Sequence, residues 1–134
     1  VCLGAAYHPR HRVFEALTMY TGQIAEISNK ASWASDVCEL VDIEDGTTTD
    51  LTDPALTVDI VVTITDKDDR TNTLATASIA NGKVSIPGPG FSWQFEVSDL
   101  TNIDPGIYGI GVKVTINDFV NDVIAGTLAI VEGN

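Results

Sequence analysis

Few side chains in this 134-residue sequence carry a chemistry of their own, and those that do fall into three groups. His8 and His11 flank Pro9 and Arg10, while Cys2 and Cys38 lie far apart in the chain. A zinc site needs a cluster of such ligands, and Pro9 gives the histidines a local geometry unlike the i, i+4 helical pair of a metalloprotease. A nucleophile, base and orienter cannot be assembled either, because both histidines lie on an N-terminal arm away from any rigid body. Two cysteines are too few to define a disulfide scaffold, so two free thiols are expected, with Cys38 buried in a strand. The carboxylates form the second group. Asp66, Asp68 and Asp69 share one loop, and Asp42, Glu44 and Asp45 lie near another turn, all oxygen donors of the kind calcium takes. Neither set fits the EF-hand pattern, since Asp66-Lys67-Asp68-Asp69-Arg70 lacks the spacing, glycine and terminal glutamate, and solvated acidic loops are expected. Aromatic rings come third: Trp33 is the one surface ring that could face a sugar, whereas Trp93 shares its parity with Phe91 and Phe95 and belongs in the core. No catalytic residue, metal ligand or cofactor is assigned.

The charge is lopsided. In residues 1–30, Arg10, Arg12 and Lys30 against Glu15 and Glu26 leave +1; residues 31–134 carry −13, giving the net charge of −12. So acidic a body repels phosphate backbones, which argues against a nucleic-acid partner. No stretch approaches the ~18–20 apolar residues that span a bilayer, so no membrane partner is expected. Val1 to Ala6 lacks the charged and long apolar regions of a signal peptide.

Two parts are expected: an arm over residues 1–30 and a body over 31–134. In the arm, Val13, Phe14, Leu17 and Tyr20 have helical spacing, which predicts a helix over about 13–20 that ends at Thr21-Gly22. Two turns of helix are unstable alone in water. Phe14, Leu17, Met19 and Tyr20 are therefore the expected apolar anchors of an interaction, with Arg10 and Arg12 meeting acidic surface, on a neighbouring subunit or across the sandwich's own open edge.

The body reads as strands separated by turn signals. A short strand is expected at Gln23–Ser28. Another runs over Ser32–Ile43, its inward face ambiguous because Trp33, Val37 and Val41 oppose Cys38 and Leu40. Thr57–Thr65 alternates cleanly, Asn81-Gly82 is a hairpin turn, and Phe91, Trp93, Phe95 and Val97 face one way. Pro105-Gly106 suits the two central positions of a type II turn. Tyr108, Ile110, Val112, Val114 and Ile116 then line one face of a strand over 107–116. Asn117-Asp118 and Asn121-Asp122 bracket a loop before a last strand at Val123–Val131. Seven or eight strands at this spacing predict an all-β, antiparallel β-sandwich with an N-terminal arm and short helix. Its core should hold Phe91, Trp93, Phe95, Tyr108, Ile110, Val112, Val114, Val58, Ile60 and Leu128.

A Pro-Gly turn that places a tyrosine just inside a strand resembles the tyrosine corner of immunoglobulin-like sandwiches. From Ser32 onward the order of motifs also resembles the small immunoglobulin-like domains of tailed-phage virion proteins. The residues concerned are Trp33, Leu40-Val41-Asp42-Ile43-Glu44-Asp45-Gly46, Asp50-Leu51-Thr52, Val58–Ile64, Asn81-Gly82-Lys83-Val84, Phe91–Val97, Pro105-Gly106-Ile107-Tyr108 and the closing Gly126–Gly133. The resemblance implies a non-enzymatic virion component of the tail, baseplate or fibre attachment, with head-surface decoration as an alternative. Its partners would be other virion proteins and copies of itself in a homo-oligomeric assembly. The rival expectation is a secreted or cell-surface sandwich that binds carbohydrate or calcium.

Overall fold

The computed structural model describes residues 5–7, 22–42 and 47–133. The predicted helix at 13–20, and with it Arg10, Arg12, Phe14, Leu17, Met19 and Tyr20, lies outside the described residues. So do His8, His11 and the Glu44-Asp45-Gly46 turn.

The fold is all-β. Among the described residues it has strands β1 (Ala5–Tyr7), β2 (Gln23–Ser28), β3 (Trp33–Ala34), β4 (Leu40–Asp42), β5 (Thr48–Thr49), β6 (Val58–Asp66), β7 (Thr73–Ser78), β8 (Val84–Ser85) and β9 (Ser92–Phe95). One helical turn, α1 (Val97–Leu100), precedes the long strands β10 (Gly106–Ile116) and β11 (Phe119–Val131). A five-stranded sheet has the order β2-β11-β10-β6-β7; β3-β9-β8 and β1-β4-β5 form two three-stranded sheets.

The expectation of a purely antiparallel arrangement is corrected at two places. β2 runs parallel to β11 and β1 parallel to β4. Alternation in a sequence marks which side chains face inward and carries no record of the direction of the neighbouring strand.

The core follows the alternation closely. Phe91, Trp93, Phe95, Ile60, Ile110, Val112, Val114 and Leu128 are buried in one cluster, and Val58 and Tyr108 pack against it half-buried. Deviations from simple period 2 fall at bulges. Val112 pairs with Ile124 but Lys113 with Asp122, so Val123 is an extra residue, and Val123 and Ile124 are both buried. The ambiguous segment at 32–43 is resolved in the same way. Trp33 and Ala34 pair with Phe95 and Gln94, and Cys38 bridges to Phe91. Four steps on one strand against three on the other leave one surplus residue between Ala34 and Cys38. The inward parity therefore switches from Trp33 to Cys38 and Leu40, and Val37 is thrown outward, 47% exposed. The single predicted strand is in fact two.

Turns depart from expectation where backbone conformation decides. Asn117 (φ 49°) and Asp118 (φ 67°) both adopt left-handed conformations, a type I′ signature, and close a two-residue hairpin between paired Ile116 and Phe119. The last strand therefore starts at Phe119 instead of Val123. Gly82 takes φ 80° in the expected Asn-Gly turn, where Asn81 Oδ1 accepts the amides of Ser78 and Lys83. Gly106 does not take a positive φ; it already pairs with Ile130 as the first residue of β10, so the type II turn is replaced by a direct run into the strand.

α1 was not expected. Glu96 caps it, its amide donating to Asp99 Oδ2 at 2.8 Å in a reciprocal capping box. Lys83 Nζ reaches both oxygens of Asp99 at 2.7 and 2.6 Å, which ties the Asn81-Gly82 hairpin to α1. Asn29, buried, donates from Nδ2 to the Ile103 carbonyl and accepts the Gly133 amide, locking the loop after α1 and the C-terminal segment to the end of β2.

Candidate functional site

The outer face of the five-stranded sheet carries a trough of about 500 Å³, and its shape comes from glycine. On β10 the outward parity reads Ile107, Gly109, Gly111, Lys113, so the central strand has two successive positions without side chains. Val61, Thr63 and Thr65 of β6 form one wall; Asp122, Ile124 and Ala125 of β11 form the other. Lys113 and Asp122, opposite each other on β10 and β11, bridge one end at 2.8 Å.

Arg70 stops the other end. It lies in the loop between β6 and β7, where Asp69 Oδ1 accepts both the amide and the hydroxyl of Thr71 and fixes the turn on either side of the arginine. The guanidinium crosses the sheet and donates to the carbonyls of Ile110 (3.4 Å) and Gly126 (2.8 Å). A Cβ at Gly109 would sit 2.7 Å from Thr65 Oγ1 and 3.0 Å from Arg70 Cζ, so only glycine allows this approach. Above Gly111 the space is open, with Thr63 Oγ1 at 3.5 Å as the nearest atom. Thr65 is 4% exposed and its hydroxyl has no hydrogen-bond partner. Lys83 and Lys113 each hold a carboxylate, but Arg70 pairs with none among the described residues.

A smaller cleft of about 90 Å³ lies beside Trp33, Ser35, Asp36 and Trp93. Trp33 does not stand out as a surface platform: it stacks on Phe95 at 6.0 Å and meets Trp93 edge-on at 5.8 Å. The extra residue before Cys38 leaves Trp33 on the inward parity, which corrects the reading of it as a surface ring.

In the acidic loop at 66–69, Asp66 and Asp69 each turn one carboxylate oxygen onto the loop itself. Asp66 Oδ1 accepts the Asp68 amide, and the hydroxyl and amide of Thr71 hold the Asp69 carboxyl below its usual pKa. No group of three His, Cys, Asp or Glu that could hold a metal ion occurs among the described residues. The side chains of Asp42, Glu44 and Asp45 lie outside the described residues. Cys38 is fully buried and disulfide-bonded, which corrects the expectation of a free thiol there. Separation along the chain does not decide which sulfurs a fold brings within bonding reach. Cys2 lies outside the described residues.

Tyr108 is where sequence and geometry meet most directly. At the start of β10 its hydroxyl donates to the carbonyl of Asp104, four residues upstream, at 2.6 Å. Burial first, then the charges of Asp104 and Asp66, push its pKa above the ordinary 10.0.

The sequence does not mark Thr65 or Arg70 as special, because an arginine in an acid-rich loop reads as solvated. The usable signal was two glycines at i and i+2 on the outward parity of an otherwise clean strand. The described site is thus a trough on an all-β fold, closed at one end by Arg70. No protein-family model matches the sequence, and no curated protein matches it significantly.

Proposed function

We propose that this chain is an immunoglobulin-like β-sandwich and a non-enzymatic structural component of a tailed-phage virion, in the tail, baseplate or fibre attachment, assembling through protein–protein contacts. The observation that carries the reading is the Tyr108–Asp104 hydrogen bond placed at the start of β10. In immunoglobulin-like domains a tyrosine near the start of strand F bonds the backbone a few residues upstream. The strand order supports the same assignment. With β10 as F and β11 as G, β6 and β7 take the places of C and C′, and β3, β9 and β8 those of B, E and D. The phage setting rests on the ordered motif resemblance from Trp33 to the closing strand.

Mass spectrometry of purified particles tests the setting: the chain should occur at a fixed copy number per symmetry element, and its absence from particles refutes the assignment. Replacing Phe14, Leu17, Met19 and Tyr20 by serine tests the arm, since the pairing of β1 with β4 is then kept. A variant that stays folded but no longer incorporates argues for an arm between subunits; a loss of monomer stability argues for an arm docked on its own domain.

One observation favours a second reading, a secreted or cell-surface ligand-binding module. Disulfides persist mainly in oxidising surroundings, and Cys38 is in one. Under that reading the purified monomer gains thermal stability with calcium or an oligosaccharide by mass action.

A further inference from the structure

The trough on the outer sheet face has features that a merely solvated surface does not need. In a chain of net charge −12, Arg70 has no carboxylate partner among the described residues, and its guanidinium lies close over Gly109. Two of its five N–H donors are used on carbonyls, so three remain. Beside it, the Thr65 hydroxyl is sealed beneath the surface without a partner, so this end of the trough is closed. Charge-assisted bonds from a guanidinium fork are suited to a carboxylate.

The rest of the trough indicates what the carboxylate is attached to. From Gly109 to Lys113 β10 advances about 13–14 Å, the length of four extended residues. Along that length the lining is Val61, Gly111, Ile124 and Ala125, with Thr63 as the polar exception. The space is open over Gly111 but filled over Gly109 by Thr65 and Arg70. A chain lying in the trough therefore has to end at Arg70.

We propose that this trough captures the C-terminal end of an extended, apolar peptide segment of a partner protein. The terminal carboxylate sits against the Arg70 guanidinium at the filled end, and the three or four residues before it lie over Gly111 towards the Lys113–Asp122 pair. This goes beyond the assembly reading and stands without it, since a cell-surface module could use the trough equally well.

The test is a titration of the ¹⁵N-labelled full chain, followed by amide shifts, with acetyl-Ala-Val-Ala-Val carrying a free C-terminus. Shifts are expected at Thr63, Thr65, Gly109 and Gly111. The same peptide with an amidated C-terminus should bind at least about tenfold more weakly, the scale of one lost charge-assisted bond. Arg70→Gln should produce the same loss. Gly111→Val should block the trough, its Cβ entering at ordinary contact distance; this variant decides the matter if Arg70→Gln does not fold. Equal affinity for acid and amide, or no shift at these four amides at millimolar peptide, overturns the proposal. Hexanoate binding as tightly as the peptide overturns the peptide assignment, since the site would then take a free apolar acid.

Discussion

Replacing Trp93 by alanine and by phenylalanine separates two properties of the same side chain. Trp93 is 2% exposed and packs against Trp33 at 5.8 Å and Phe91 at 6.2 Å between ring centroids. Truncation to alanine removes the ring from a close-packed cluster and leaves a cavity, a change that costs about 3–5 kcal/mol. Unfolding entropy near 2.1 cal/mol/K per residue, taken over 134 residues, is about 0.28 kcal/mol/K. The alanine variant should therefore melt about 11–18 °C below the parent. Phenylalanine keeps an aromatic ring in the pocket and removes the indole Nε1, which is buried with no hydrogen-bond partner. Losing an unsatisfied donor offsets part of the lost volume, so Trp93→Phe should cost about 1–2 kcal/mol, or about 4–7 °C. Differential scanning calorimetry with matched buffers measures both. An alanine variant within 4 °C of the parent, or a phenylalanine variant as damaged as the alanine one, refutes the assignment of this ring to the core and of its nitrogen as unpaired.

Three further outcomes follow from hydrogen bonds and close approaches. Tyr108→Phe removes the bond to Asp104 and should cost about 0.5–1.5 kcal/mol at neutral pH. Because the folded-state pKa of Tyr108 is raised, its contribution is complete below pH 10.0 and is lost as pH rises through the higher folded value. Denaturant melts should show the gap between parent and Tyr108→Phe shrinking in that window; a constant gap counts against the bond. For Asp99, burial raises the pKa, but the Lys83 hydrogen bond, the Glu96 amide and the Lys83 charge together outweigh it and hold it below 3.8. Its stabilisation is present above 3.8 and lost as pH falls through the lower folded value. Asp99→Asn should cost about 1–2 kcal/mol at pH 7 and almost nothing in strong acid, and equal losses at both would reject the pairing. A Cβ at Gly126 would run into the carbonyl oxygen of Gly22, which accepts the Thr127 amide where β2 begins. Gly126→Ala should cost about 1–3 kcal/mol and speed hydrogen exchange at the β2 amides selectively; uniform exchange would contradict it.

Much of the strand pattern could be read directly from residue alternation. Gln23–Ser28 forms the strand expected of it, and the Tyr108–Ile116 parity is the buried face of β10 almost residue for residue. Legibility failed wherever a bulge changes parity. One surplus residue before Cys38 and another at Val123 each reverse which side chains face inward, and no local residue type announces them. The direction of β2 was equally hidden, because a parallel and an antiparallel neighbour demand the same alternation. α1 did have a signal, Glu96 and Asp99 at capping-box spacing, but an acidic pair after an aromatic strand also suits a turn. At the trough, the glycine parity was visible while Arg70 was not. Its position depends on the reach of a loop across three strands, which lies beyond any window of sequence.

The parallel pairing of β2 with β11 also determines how the domain answers mechanical load. Gln23 lies beside Thr127 and Ser28 beside Val131, so the start of β2 and the end of β11 are at opposite ends of the same ladder. Tension applied at residue 22 and residue 131 pulls the two strands past one another along their length. The hydrogen bonds between them are then strained together, whereas pulling at the β6–β7 hairpin would open its ladder one bond at a time. A body held by these two points in a longer filament would resist extension through a pairing whose direction alternation does not foretell. Single-molecule pulling from residues 22 and 131 should rupture at a clearly higher force than pulling from residues 58 and 78.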